Sequence, residues 1–167
     1  MIDIDAWPVP TWTESETLRY LNSVASRSKT ACEVGVYMGA SARAILQNND
    51  VHLWAADKFM VFGTEAVTRL VLDRWIKASQ CEIIVGDSKK ALEIIPVPLD
   101  MAWVDNGHTE NDVKRDVQAM WQLLKPGGLL IGHDWEGDND VARGVKAVFP
   151  WSTIEHPCPR VWQIQKP

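Results

Sequence analysis

Five short apolar runs alternate along this chain with longer segments in which apolar residues recur at helical spacing. A run of about four to eight residues, bounded by turn or acidic residues, is typical of a buried parallel strand. The last run follows the turn Lys125-Pro126-Gly127-Gly128. The predicted strands are residues 32–36, 52–56, 82–85, 99–104 and 129–132.

The segments between these runs predict helices, because their apolar residues return with a period near 3.6. In the first helix, residues 13–26, Thr13 and Glu16 have the spacing of an N-terminal capping box. The other predicted helices are residues 40–47, 64–78, 111–124 and 141–148. The tail adds two candidate strands, residues 152–155 and 160–165.

Alternation of strands and helices indicates an α/β fold with a parallel sheet. We therefore predict a Rossmann-like, doubly wound, mostly parallel sheet with helices on both faces. The length of 167 residues is that of one ordinary domain. Residues 1–167 are predicted to form that single domain.

Charge and composition restrict the class of partner. A formal net charge of −5 disfavours nucleic acid and anionic membrane surfaces, which both select for basic proteins. Residues 1–10 are acidic and contain two prolines, unlike a signal peptide, and no apolar run reaches the roughly 18 residues of a transmembrane helix. Three widely spaced cysteines without a CxxC pattern favour reduced thiols and a cytoplasmic protein.

The residues that follow the predicted strands are candidates for a ligand site, because open α/β sheets bind ligands beyond the carboxyl ends of their strands. Acidic residues recur at these positions, and four of the five predicted strands are followed by an aspartate. Their shared edge of the sheet is what makes these residues informative. In chain order, the strands are followed by Gly35 and Gly39, Asp57, Asp87-Ser88, Asp105, and His133-Asp134.

The first strand ends in the pattern E-x-G-x-x-x-G, residues 33–39. Its glycines allow a ligand to approach the backbone, and Asp57, about 20 residues further on, can accept both hydroxyls of a ribose. An NAD site would use the same two features. However, the pattern lacks the middle glycine of G-x-G-x-x-G, which admits a pyrophosphate. A ligand without a pyrophosphate fits better.

Several segments resemble the class I S-adenosylmethionine-dependent methyltransferases, in particular the small O-methyltransferases that include macrolide-sugar enzymes and cephalosporin-hydroxylase relatives. The resemblance implies the class I fold with a C-terminal antiparallel strand and S-adenosylmethionine as cofactor. It also implies O-methylation of a small hydroxylated acceptor such as a sugar or glycan end. The segments are EVGVYMGAS (33–41), GDSKKAL (86–92), VDNGHTENDVKRDV (104–117), LLKPGGLLIGHDW (123–135) and GVKAVF (144–149).

The same resemblance implies roles for individual residues. Asp57 would bind the ribose, and Asp87 and Ser88 would contact the adenine. Asp105 would face the sulfonium, with His133 and Asp134 beside it. The loop under the methionine part of the cofactor would contain Glu33, Gly35, Val36, Tyr37, Gly39 and Ser41.

Methyl transfer to oxygen requires alignment of the two partners and removal of the hydroxyl proton. We predict Asp105 and His108 as catalytic residues. Asp105, His133 and Asp134 are predicted to hold a divalent metal such as Mg²⁺, since two aspartates aimed at one point repel each other unless a cation lies between them. Without a metal, His108 or His133 would act alone as the base.

Alternatives remain at each level. His133 could serve only as a hydrogen-bond partner of a neighbouring loop, and His108 could cap the helix that follows it. The whole chain could be a cofactor-binding domain without activity, or a partner subunit of a larger enzyme. Its oligomeric state is open.

Overall fold

The computed structural model describes residues 9–96 and 98–167 of the chain. The prediction that residues 1–10 are not a signal peptide therefore concerns residues that lie mostly outside the described ones. The described strands are β1 (Thr30–Val34), β2 (His52–Asp57), β3 (Cys81–Val85), β4 (Leu99–Val104), β5 (Leu124–Gly132) and β6 (Trp162–Gln165). The described α-helices are α1 (Ser15–Ala25), α2 (Ala40–Leu46), α3 (Thr64–Lys77), α4 (Ser88–Ile94), α5 (Glu110–Leu123) and α6 (Asp140–Lys146).

The six strands form one sheet in the order β3-β2-β1-β4-β5-β6. Neighbours among β1 to β5 run parallel, and β6 runs antiparallel to β5. This confirms the predicted Rossmann-like, mostly parallel sheet with its C-terminal antiparallel strand. Chain order reverses at β1, which lies between β2 and β4, and a crevice at such a switch point is where this class of sheet binds ligands.

Helices cover both faces of the sheet, as predicted. Along β1, Ala31 packs in the core beneath α1, α2 and α3, whereas its neighbour Cys32 packs in the core beneath α4, α5 and α6. Alternate burial on both faces explains why the strands are nearly continuous apolar runs. Glu33 is the exception, because it is a fully buried carboxyl group on the α1 face.

Two local predictions are wrong. The capping box is absent, because α1 begins at Ser15 with Glu14 as its N-cap, and no side chain caps its end. The tail segment 152–155 is not a strand. Instead, Trp151–Thr153 forms a 3-10 turn, and Glu155 alone makes an isolated bridge to Gln163.

Helix α4 and the early start of β5 were not predicted. Helix α4 has seven residues, of which only Ser88 and Ala91 are buried, so its apolar periodicity is too weak to recognise. Strand β5 already pairs with β4 at Leu124, and a register shift between Leu99 and Met101 accommodates the proline and glycines of its first half. None of the helices that the structure describes is both long enough and apolar enough to cross a membrane.

Candidate active site

Gly35 lets the loop after β1 pack directly against the end of β4. Its φ is +94°, and a Cβ at this position would lie 1.9 Å from the backbone oxygen of Asp105. The contact continues a backbone ladder, since Asp105 N–H donates to the Val34 carbonyl at 2.8 Å. The positive φ and the close approach both require glycine, so this loop is built around Gly35.

Asp57, at the end of β2, organises the same loop through its carboxylate. Oδ2 accepts hydrogen bonds from the backbone N–H groups of Val36 and Tyr37, both at 2.8 Å, and Oδ1 accepts from that of Phe59 at 2.6 Å. Tyr37 has a φ of +52°, which is uncommon for a residue with a side chain, and its carbonyl accepts from the Thr68 hydroxyl. Strained backbone held in this way is frequent at functional sites.

A cavity of about 320 Å³ opens between this loop, the ends of β4 and β5, and residues 10–13. One end of the cavity is formed by Asp57 and by the loop after β1, residues 35–39, called the glycine loop below. The other end is formed by the acidic and histidine residues after β4 and β5. The predicted cofactor residues that line it are Gly35, Val36, Tyr37, Ser41, Asp57 and Asp105. Sequence reasoning did not include residues 10–13, Met38, Asn106 and Arg160, which also line it.

Among the remaining predicted cofactor residues, Gly39 is the N-cap of α2 and Asp87 that of α4. Ser88 is fully buried, and its hydroxyl donates to Asp116 Oδ1 at 2.5 Å. The same carboxylate accepts from Asn106 Nδ2 at 3.0 Å, so Asp116 ties the loop after β3 to the loop after β4. The predicted adenine contacts of Asp87 and Ser88 stay predictions.

Glu33 lies buried beneath the cavity instead of lining it. Its Oε1 accepts a hydrogen bond from the Ser41 hydroxyl, whereas Oε2 has no partner among the described residues. Burial raises the pKa of Glu33 to about 8, partly offset by the Ser41 hydrogen bond. Glu33 is therefore a neutral acid at neutral pH, which is the form that an apolar surrounding favours.

This buried acid predicts a specific pH dependence of stability. Because the folded-state pKa of about 8 exceeds the ordinary value of 4.5, the stabilisation from protonated Glu33 is complete below pH 4.5 and is lost as the pH rises to about 8. Glu33→Gln cannot ionise, so its free energy of unfolding should gain on that of the wild type between pH 5 and pH 8. Denaturant titrations at both pH values test this. A constant difference would contradict it, and Glu93→Gln, an exposed change at a residue that pairs with a lysine instead of a histidine, is the control.

Asp105, His108 and Asp134 come together at the other end of the cavity, and one ligand atom from each lies within 4.8 Å of the others. His108 Nε2 lies 2.7 Å from Asp134 Oδ2. This contact raises the pKa of His108, while the hydrogen bonds from His108 and His133 hold the pKa of Asp134 well below its usual range. Helix α5 is capped by Thr109, so the structure does not support the capping role considered for His108.

The ring of His133 is buried between carboxylates. Nε2 lies 2.9 Å from Glu14 Oε2, and Nδ1 lies 3.2 Å from Asp134 Oδ1 and 3.8 Å from Asp105 Oδ1. Burial lowers the pKa of His133, but its acidic neighbours more than compensate and raise it overall. Both ring nitrogens face acceptors, so this arrangement favours the doubly protonated ring. The assignment of His133 as a metal ligand stays a prediction.

Asp105 is a second acid whose protonation is shifted towards neutral pH. Burial raises its pKa to about 6, and Asp134 adds to that rise, whereas His133 and His108 oppose it. At this end of the cavity, Asp134 is thus the ionised acid, and Asp105 is the acid that holds a proton more readily. The different environments of these two neighbouring carboxylates thus shift their pKa values in opposite directions.

Arg160, in the loop before β6, contacts the acidic residues at this end of the cavity. Its guanidinium contacts Asp134, lies 2.9 Å from Glu14 Oε1 and lies 2.7 Å from Glu136 Oε1. Its backbone has a φ of +61°. Sequence reasoning treated Arg160 only as part of the tail strand, because no local pattern relates it to residues after β5 or before α1.

The donor set of Asp105, His108 and Asp134 fits a divalent metal in chemistry and in spacing. Two carboxylates and an imidazole suit manganese, iron or zinc better than Mg²⁺, which prefers oxygen ligands throughout. Asp134 would share its charge between the metal and Arg160. A metal requirement therefore stays a prediction, with His108 as the histidine that the geometry offers.

Comparison with known proteins agrees with this architecture. The family model described as "Methyltransferase domain" matches residues 32–135. A comparison with curated proteins found no match. Solved structures at 13–14% identity share the fold with TM-scores of 0.70–0.73.

Three of these structures illustrate the likeness. The O-methyltransferase TomG of Streptomyces achromogenes, involved in tomaymycin synthesis and solved with S-adenosylmethionine, is 14% identical over 93% of this chain and 82% of its own, with a TM-score of 0.71. A methyltransferase of Podospora anserina, bound to S-adenosylhomocysteine, is 14% identical over 93% and 80%, with a TM-score of 0.73. An O-methyltransferase of Bacillus cereus, in complex with the same product, is 13% identical over 98% and 87%, with a TM-score of 0.70.

Proposed function

Because the chain belongs to the methyltransferase-domain family, we propose that it transfers a methyl group from S-adenosylmethionine to an oxygen of a small hydroxylated acceptor such as a sugar. The observation that carries this proposal is the paired His108 and Asp134 at one end of a cavity whose other end is the glycine loop and Asp57. A binding domain without activity has no need of that histidine–carboxylate pair, so the non-catalytic alternative is not favoured. Cytoplasmic location and a small-molecule partner belong to the same proposal.

The cofactor supplies a methyl group on a positively charged sulfur. The residues along the cavity fit such a ligand, because Gly35 lets the loop pack against β4 and so shapes this end of the cavity, and Asp57 supplies a carboxylate for hydroxyl groups. Asp105 would face the positive charge from the end of β4. The cofactor or its product in the Streptomyces and Bacillus neighbours supports this choice of ligand.

His108 is the residue best suited to remove the acceptor's proton. Its imidazole is more than half exposed and lines the cavity, so an acceptor can reach it. Because Nε2 faces Asp134, the neutral ring keeps its proton there and leaves Nδ1 free to accept one. Asp134 then stabilises the imidazolium that forms, as the orienting acid does in other histidine-based sites.

If a divalent metal binds, Asp105, His108 and Asp134 are the residues that would hold it. A metal there would lower the pKa of an acceptor hydroxyl, as it does for a bound water. Measuring turnover after chelation and after readdition of manganese or Mg²⁺ separates this role from that of His108 as a base.

Asp57→Ala tests the cofactor assignment. The change removes up to two charge-assisted hydrogen bonds to the ribose, each worth about 1.5–3 kcal/mol, and also three hydrogen bonds to the loop backbone. We expect affinity for S-adenosylhomocysteine to fall at least tenfold in calorimetry, by the 1.4 kcal/mol-per-decade relation. Asp50→Ala, an exposed acid paired with Lys29, should leave affinity unchanged. Equal affinities in the two variants would place the ribose elsewhere.

The function itself is tested by turnover. The whole chain is incubated with S-adenosylmethionine and a panel of sugars, phenols and other hydroxylated molecules, and S-adenosylhomocysteine is quantified. Product formation above the rate without acceptor supports the proposal. Tight cofactor binding without transfer to any member of a broad panel would favour the non-catalytic alternative.

A further inference from the structure

Residues 10–13 form one wall of the cavity, and they make few polar contacts with the rest of the described chain. Trp12 is 87% exposed, and its ring stacks on that of Tyr37 at a centroid distance of 5.8 Å and an interplanar angle of 30°. The hydrogen bond from Thr13 N–H to the Thr11 hydroxyl at 3.0 Å lies within the segment itself. Val9, directly before this segment, is buried, so the position of the wall depends on the residues at its two ends.

Glu14 follows the segment, and its carboxylate contacts two cationic groups that lie after β5 and before β6. Oε2 lies 2.9 Å from His133 Nε2, and Oε1 lies 2.9 Å from Arg160 Nη1. His133 is buried directly after β5, and Arg160 lies just before β6, so both groups belong to the end of the sheet where β5 stops and β6 starts. Glu14 connects the start of α1 to that end.

The two side chains of the Glu14–His133 contact differ in their exposure to water. The Glu14 side chain is 42% exposed, whereas that of His133 is 4% exposed. Water can compete for the carboxylate when the contact opens, so opening costs little compared with breaking a fully buried ion pair. The geometry thus combines a fixed partner on the sheet with a carboxylate that can be released.

We propose that Glu14 is a positioning residue that fastens residues 10–13 over the glycine-loop end of the cavity, so that a bound ligand leaves when this fastening opens. Residues 10–13 line the cavity together with residues 35–38, which puts them over the part of the site assigned above to the cofactor. The identity of that ligand rests on the proposed function, but the fastening itself does not. Because the wall must open before a ligand can enter and before it can leave, holding the wall closed slows association as well as dissociation.

Glu14→Gln in the whole chain tests this proposal. The glutamine keeps the size of the side chain but loses its charge and half of its acceptor capacity. We expect dissociation of S-adenosylhomocysteine to accelerate about two- to fivefold in stopped-flow displacement, and association to accelerate by a similar factor, since an exposed charged contact contributes on this scale. Glu16→Gln, on the same helix and exposed, makes no ion pair among the described residues and should behave as the wild type.

A second variant and a second measurement guard against a purely structural effect. Trp12→Ala loosens the same wall without touching His133 or Arg160. Its effect on dissociation should therefore not add to that of Glu14→Gln in the double variant. Hydrogen exchange of the peptide that covers residues 9–14 should be faster in Glu14→Gln than in Glu16→Gln, both in the absence of ligand. Melting curves establish that each variant is folded.

The outcomes separate this proposal from the function proposed above. Equal dissociation rates in Glu14→Gln, Glu16→Gln and the wild type would overturn the fastening while leaving the cofactor assignment intact. If S-adenosylhomocysteine does not bind the wild type at all, the cofactor assignment fails, and hydrogen exchange alone decides the fastening. Faster exchange only in Glu14→Gln then supports it, and equal exchange overturns it.

Discussion

Gly35→Ala is expected to lower the free energy of unfolding by about 4 kcal/mol or more and to abolish cofactor binding. The added Cβ would lie 1.9 Å from the Asp105 carbonyl oxygen and 2.8 Å from the Asn106 nitrogen. Both atoms belong to backbone at the end of β4, so no side-chain rotation relieves the clash. The loop after β1 must move away from β4, and the cavity between them changes shape.

Gly63→Ala is the matched control for this substitution. Gly63 also has a positive φ, +85°, but no atom lies within 4 Å of the Cβ that it would gain. It should therefore cost only the conformational penalty of about 1–2 kcal/mol and leave cofactor affinity unchanged. Denaturant titration and calorimetry of both variants make the comparison. Similar losses in the two variants would mean that contact with β4 does not decide the structure of the loop.

His108→Ala should reduce kcat by about 10²- to 10⁴-fold, the usual contribution of a general base, while leaving affinity for S-adenosylhomocysteine unchanged. His108 lines the cavity at the end away from the glycine loop, and its removal leaves the residues around that loop in place. His52→Ala is the control, because His52 begins β2 and pairs with Glu82, at the opposite edge of the sheet. Full activity in His108→Ala would remove His108 from the reaction.

The pH dependence of kcat is a separate test of the pairing between His108 and Asp134. A base works in its neutral form, and Asp134 raises the pKa of His108 above its ordinary value of 6.5. Activity should therefore rise with pH through a value above 6.5 in the wild type. In Asp134→Asn that rise should move to lower pH, because the charge that favours the imidazolium is gone, and the maximal rate should fall. A rise at unchanged pH would contradict pairing of the two residues.

The sheet and one edge of the site could be predicted because both depend on short-range patterns. Strands that are buried on both faces appear in the sequence as apolar runs, and these runs predicted β1 to β5. The residues directly after parallel strands meet at one edge of the sheet. Asp57, Asp105 and Asp134 follow from that argument alone. Their partners do not, because the same Asp57 that could bind a ribose also accepts three backbone hydrogen bonds.

The residues that sequence reasoning missed act through contacts distant in the chain. Glu14 and Arg160 are 146 residues apart, and Asp116 joins Ser88 across 28 residues. The false capping box has a related cause, since Glu14 lies at the N-cap position but its carboxylate is directed to His133 and Arg160. Tertiary ion pairs outweighed the local preference of the helix end.

The most direct test of the account is methyl transfer followed by isotope. The chain is incubated with S-adenosylmethionine carrying a ¹³C-labelled methyl group and with the hydroxylated acceptor that gives most S-adenosylhomocysteine, and the product is examined by NMR and mass spectrometry. The account predicts one labelled methyl group bonded to oxygen, formed by the wild type and lost in His108→Ala. A label found on nitrogen, carbon or sulfur, or an unchanged yield in His108→Ala, would contradict it.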